Sequence, residues 1–201
     1  MKYFNSIFIF LILIIVSCQS SKNKERINYW NKFDKEDHFL PEMKKSLFDS
    51  LHGSDLTYAI LDLIDVAKDG KDEIELSKRL SSGQKAIYFY TFLEDEVENG
   101  GFVQFYLNEY DKYVPAIYDA LNLIGDTKTI SLLKESENEY KKNISLFELY
   151  KHKTDWTEIY KQMKVMEKLD NVFYKDDVHV ETHKLFEKYI RTHVNEIVKL
   201  I

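Results

Sequence analysis

From about Ile27 to the end of the chain, apolar residues recur every three or four positions, and very little interrupts them. Two prolines and six glycines are spread over 201 residues, so helices are seldom forced to stop. Leu56, Ile60, Leu63, Ile64 and Ala67 form one stripe, with Asp55 expected as its N-cap and Gly70 just past its end. Ala86, Tyr90, Leu93 and Val97 form the next, opened by Ser81 and Gln84 at the spacing of a capping box. Val114, Ile117, Leu121 and Ile124 precede Gly125, a natural helix terminator. Asp126 opens a long stretch carrying Ile130, Leu133, Tyr140, Ile144 and Phe147. Asp155 and Glu158 open another, with Ile159, Met163 and Met166 on its face. A last helix is expected from about His179 to the end, with Phe186, Tyr189, Val194 and Ile197 inward. No stretch alternates in the manner of a half-buried strand. The pattern predicts an all-α fold, a single bundle of about six to eight helices joined by short turns.

Hydrophobic residues at 44% and charged residues at 31% are enough of each for a packed core under a charged surface. The formal charge of −6 argues against nucleic-acid binding, which needs surplus Lys and Arg to displace counterions. The single cysteine, Cys18, excludes an internal disulfide, a cysteine-based zinc site and dithiol redox chemistry.

Position explains that cysteine. Lys2 supplies a positive start, and every residue from Ile7 to Val16 is Ile, Phe, Leu or Val. Ten residues of helix span about 15 Å, roughly half a bilayer's hydrocarbon core, so the run suits a removable export leader better than a membrane span. Its end, Ile15-Val16-Ser17-Cys18, resembles the lipobox of bacterial lipoproteins. The resemblance implies cleavage before Cys18, a lipid thioether on that residue and acylation of the new amine, which together anchor durably. The expected organisation is a leader over 1–17, lipidated Cys18 with a polar tether over 18–28, and a helical domain over 29–201. The expected place is the bacterial envelope, on the outer membrane or a periplasmic face, with the membrane as the partner of Cys18. Losing Lys2 with the leader takes the charge to about −7.

The segment from Glu94 to Asn108 stands out. A helix running to about Glu98 meets Asn99-Gly100-Gly101, residue types that tolerate left-handed backbone, and a second helix starts almost at once. In that second helix Gln104 and Asn108 share a face, and Phe102, Phe105 and Tyr106 add aromatic bulk. Glu96 to Asn108 resembles the signature of the DNA-mimic protein family. Leu80-Ser81-Ser82-Gly83-Gln84, Ala120 to Gly125, Leu169 to Tyr174 and Tyr189-Ile190-Arg191 resemble further parts of its pattern, covering roughly residues 75–200. The resemblance implies an all-α domain. The member that gave the family its name is an acidic dimer that imitates the charge surface of DNA and occupies a DNA-binding protein. A dimer is thus one possible state here, and the sequence leaves the oligomeric state open. Here, 34 acidic side chains are interspersed with 28 basic ones, which does not favour an array of carboxylates spaced like phosphates.

Two roles are open for the signature. Asn99, Gly100 and Gly101 can simply form the turn, with Gln104 and Asn108 satisfying backbone groups and Phe102 in the core. Alternatively Glu96, Asn99, Gly100, Gly101, Phe102, Gln104 and Asn108 form a binding site rimmed by Tyr88, Tyr106 and Tyr110. Glu94, Asp95 and Glu98 join Glu96 in an acidic cluster at the helix end, read as a solvated face suited to a cationic partner. His179 and His183 stand at i and i+4, but Val180 occupies the place where the zinc-protease motif has Glu. They read as two exposed histidines, with no metal and no cofactor expected. The favoured function is a non-enzymatic, lipid-anchored helical domain that binds a protein or small ligand. The alternatives are an acidic inhibitor or immunity-type protein that blocks a basic partner, and an enzyme with its site at the Asn-Gly-Gly break.

Overall fold

The computed structural model describes residues 29–30, 37–175 and 177–201. The expected leader, Cys18 and the tether lie outside the described residues. Within them the fold is all-α: α1 (Lys45–Ser50), α2 (Gly53–Ile64), α3 (Gly70–Arg79), α4 (Ser82–Leu107), α5 (Val114–Ile124), α6 (Thr127–Lys142), α7 (Ile144–Tyr150), α8 (Thr157–Gln162), α9 (Lys164–Lys175), α10 (Val178–Thr192) and α11 (Val194–Ile197). A 3-10 turn over Tyr110–Tyr113 joins α4 to α5. None of these helices is long and apolar enough to cross a membrane.

The count exceeds the six to eight expected because periodic stretches subdivide. The stretch opened by Asp126 breaks at Asn143, whose backbone (φ −113°, ψ 19°) leaves the helical region, so Ile144 and Phe147 belong to α7. Met163 (φ −89°, ψ 54°) separates α8 from α9. The last stretch stops at His193, resumes briefly as α11, and ends extended: β2 (Lys199–Leu200) pairs in parallel with β1 (Glu42–Met43), Glu42 opposite Lys199. Two helices were missed. α1 is a single short turn pair, and α3, Gly-Lys-Asp-Glu-Ile-Glu-Leu-Ser-Lys-Arg, has too few apolar residues to show a stripe. Gly70 therefore opens α3 rather than closing α2, and Asp69 caps it by accepting from the N–H groups of Lys71 and Asp72.

α4 is the axis of the domain. It is apolar nearly all round, as a helix surrounded by others must be. α2, α5, α9 and the 3-10 turn pack on it, while α10 lies against α2. Its start is fixed by the expected capping box: Ser81 Oγ accepts from Gln84 N–H and Gln84 Oε1 accepts from Ser81 N–H at 2.8 Å. Gln84 is fully buried, and its Nε2 donates to the carbonyls of Phe39 and Ile197. One amide thereby ties the entry and the exit of the domain to the head of its central helix.

Candidate functional site

The break in α4 is real and its geometry is demanding. Gly101 sits at φ 74°, ψ −178°, a region open in practice only to glycine. A Cβ there would lie 2.3 Å from Asp170 Oδ2, and one on Gly100 would lie 2.3 Å from Gln104 Oε1. Breaking the helix frees backbone groups, and α8 and α9 supply their partners. Asp170 Oδ1 accepts from Phe102 N–H at 2.8 Å, Tyr160 donates to the Gly100 carbonyl at 2.8 Å, and Tyr174 donates to the Val97 carbonyl. Burial, partly offset by the Phe102 N–H, pushes the Asp170 carboxyl up to about 6. Leu169 to Tyr174, a separate piece of the family resemblance, is in contact with the signature segment in the structure.

Of the signature side chains, Glu96, Gln104 and Asn108 are brought together. Glu96 Oε2 accepts from Gln104 Nε2 at 3.1 Å and from Asn108 Nδ2 at 2.8 Å, spanning the break. Asn99 is exposed and apart from them, Phe102 is in the core beside Phe173, and Gly100 and Gly101 form the break. Tyr88 and Tyr106 are core residues, not a rim.

The acidic cluster does not present one face, which corrects the expectation of a shared solvated surface. Asp95 and Glu98 are exposed and Glu96 is half-buried, but Glu94 is 1% exposed and turned inward. Its Oε1 lies 2.7 Å from His183 Nε2, its Oε2 accepts from the Tyr58 hydroxyl at 3.0 Å, and Tyr58 also reaches Asp95 at 3.1 Å. The histidines are likewise not the exposed pair expected. His183 is 3% exposed, wedged between Tyr58 and Tyr90, and His179 is half-buried, stacked on Phe173. An acid one helix away, invisible at i±4 spacing, is what draws His183 inward.

Above this pair is a cleft of about 570 Å³ between α2, α4 and α10, lined by residues that include Ser54, Tyr58, Glu94, Glu98, His179 and His183. That size suits a small ligand or one side chain of a partner. At its edge Glu187 Oε2 accepts from Gly53 N–H at 2.7 Å, while Oε1 takes His52 Nδ1 and Arg191 Nε at 2.8 Å each. Glu187 thus caps α2 from 134 residues away, so Asp55 is a first-turn residue and not the cap. Burial alone would raise Glu187, but the Gly53 N–H, Arg191 and His52 outweigh it and hold the carboxyl at about 2. Glu98 moves the other way, raised by burial and by the nearby Glu94. Among the described residues no cluster of three or more His, Cys, Asp or Glu side chains is arranged to hold a metal ion.

On the surface, seven lysines are paired with a carboxylate three or four positions away, among them Lys141 with Glu137, Lys164 with Glu167 and Lys184 with Glu181. Such pairs add little stability, but they cancel charge locally and break up any run of bare carboxylates.

A family model described as DMP19-like protein matches residues 78–193. That interval contains the whole break with its partners on α8 and α9, and the Glu94, Glu98, His179 and His183 side of the cleft. The α2 side of the cleft lies outside it. No curated protein matches the chain.

Proposed function

The chain belongs to the DMP19-like protein family, and we propose that it acts as a lipid-anchored, non-enzymatic binding domain of a bacterial envelope, with the cleft between α2, α4 and α10 as its recognition site. The observation that carries the binding role is the cleft itself. It is a concave site of ligand size with several polar groups converging on it, whereas the polar groups of the signature break are engaged within the chain. Neither His179 nor His183 has a Ser, Thr or Cys side chain hydrogen-bonded to it among the described residues, so the pair lacks the nucleophile that would favour acyl-transfer chemistry. The inhibitor reading is less well supported, because Glu94 is withdrawn from the acidic cluster and several surface carboxylates are paired with lysine.

The envelope placement rests on the lipobox-like end of the leader, with lipid on Cys18 and the domain on the outer membrane or a periplasmic face. Intact-mass measurement on protein from its native host checks it: the expected product starts at Cys18 and carries acyl chains. A full-length, unacylated product would overturn it. For the cleft, envelope extract from that host should raise the thermal midpoint of the protein, since a ligand that binds only the folded state stabilises it. Ser54→Trp, an exposed substitution that fills the cleft, should abolish the rise. A rise that persists in Ser54→Trp moves the recognition site elsewhere.

A further inference from the structure

The groups at the α4 and α10 side of the cleft lean toward hydrogen-bond acceptors. A backbone carbonyl can only accept, so His179 Nδ1, 3.0 Å from the Phe173 carbonyl, must be the donor. In the neutral ring this leaves Nε2 as an acceptor. His183 is oriented the other way round: its Nε2 faces Glu94 Oε1 at 2.7 Å, while Glu94 Oε2 accepts from Tyr58. The His183 Nδ1 is buried and has no hydrogen-bond partner among the described residues. Glu98 lines the same cleft and makes no ion pair among the described residues, whereas Lys184 is paired with Glu181 and Arg191 with Glu187. The edge cations are thus charge-paired, and the cleft is left with the Glu98 carboxylate and, in the neutral ring, His179 Nε2. Tyr58 adds an aromatic wall. A carboxylate without an ion pair beside an imidazole acceptor favours a ligand that brings donors and positive charge. The His, Glu and Asp side chains here are not arranged to hold a metal ion, which leaves an organic cation.

We propose that the cleft between α2, α4 and α10 binds a primary ammonium group, with Glu98 as its counter-ion and the His179 side of the cleft accepting its hydrogen bonds. This rests on the reading of the cleft as the recognition site and names the ligand class it takes. The ammonium can belong to a free amine or to a lysine side chain of a partner, and both present the same three donors on an alkyl stem.

The test uses the full chain in a neutral detergent, with the imidazole resonances of His179 and His183 followed by NMR and assigned by single substitution. The probes are n-pentylammonium, a lysine blocked at both ends, 1-pentanol and hexanoate. Both ammonium probes should shift these resonances saturably, and 1-pentanol should not. Glu98→Gln, an exposed and conservative change, should weaken n-pentylammonium about tenfold, the worth of one charge-assisted hydrogen bond. If the blocked lysine binds more tightly than the free amine, the ammonium comes from a partner protein; if less tightly, from a small molecule. Equal binding by 1-pentanol, or an unchanged affinity in Glu98→Gln, overturns the proposal. Binding of hexanoate in place of the amines also overturns it, but leaves the cleft as a recognition site. If no probe binds while envelope extract still stabilises the protein in a Ser54-dependent way, the ligand class is wrong and the site is right.

Discussion

The α4 break and the histidine cleft are built from the same materials, carboxylates beside tyrosines, yet they use them in opposite ways. At the break, Asp170, Tyr160 and Tyr174 all point at backbone groups that the interrupted helix would otherwise leave unpaired. Glu96 there holds the two signature amides. At the cleft, one carboxylate is buried under a histidine, another caps a helix, and Glu98 is left without a partner among the described residues. The break also lies wholly inside the family-matched interval, whereas the cleft borrows a wall from α2, outside it. A run of unusual residues in a sequence thus marks where the backbone is most constrained. The open chemistry lies where three separated segments meet.

The largest expected effect falls on the break. Gly101→Val places a β-branched side chain at φ 74° and drives its Cβ into Asp170. Backbone strain and overpacking together should cost about 4 kcal/mol, read as a lower urea midpoint with an unchanged slope. A wild-type midpoint would mean that the left-handed glycine is not required. Next comes the cleft's buried pair. His183→Ala removes a fully packed ring and strands the Glu94 carboxylate, at about 3 kcal/mol. A cost under about 1 kcal/mol would show that water reaches Glu94 freely, making the cleft far more open than its burial implies.

How much of this was legible in the sequence depends on how far each signal reaches along the chain. The Ser81–Gln84 box, the Gly125 terminator and the Asp126 cap are contacts within three residues, and each stands where the spacing placed it. The glycine break was legible for the same reason. The cap on α2 was not, because its acceptor is Glu187, and the local rule nominated Asp55 instead. Glu94 and His183 were misread together: an acid near a helix end and a histidine near a helix start each look solvated until the two helices are docked. α3 escapes the periodicity because Ile74 and Leu76 are its only apolar residues, and its buried Glu73, which accepts from the Tyr113 hydroxyl at 2.6 Å, gives no signal in the sequence.

Asp170 and Glu187 sharpen the comparison, because acid moves them in opposite directions. Asp170→Ala orphans the Phe102 N–H and should cost about 2 kcal/mol, while Asp170→Asn keeps an acceptor, removes a buried charge and should be close to neutral at pH 7. Folding raises the Asp170 pKa from 3.8 to about 6. The stability gained by its protonation is therefore complete below about pH 4 and lost as pH rises through 6. Folding lowers Glu187 from 4.5 to about 2, so its contribution is complete above about pH 4.5 and lost as pH falls toward 2. Subtracting the Asp170→Asn and Glu187→Gln stability curves from wild type should reveal these two slopes separately. Slopes of the same sign would contradict the contrast between break and cleft.

The smallest effect tests the borrowed wall. Tyr58 on α2 donates one hydroxyl to both Glu94 and Asp95, and burial, reinforced by those carboxylates, pushes its own pKa well above the usual tyrosine value. Tyr58→Phe keeps the ring and deletes the donor, at about 1 kcal/mol. The informative readout is not the midpoint alone but the His183 imidazole. If Tyr58 helps to hold Glu94 as an acceptor, its loss should shift the His183 resonances and weaken the amine probe, although Tyr58 lies outside the family-matched interval. If the midpoint falls while His183 is unmoved, α2 is only a lid on a dyad that the family-matched part assembles unaided.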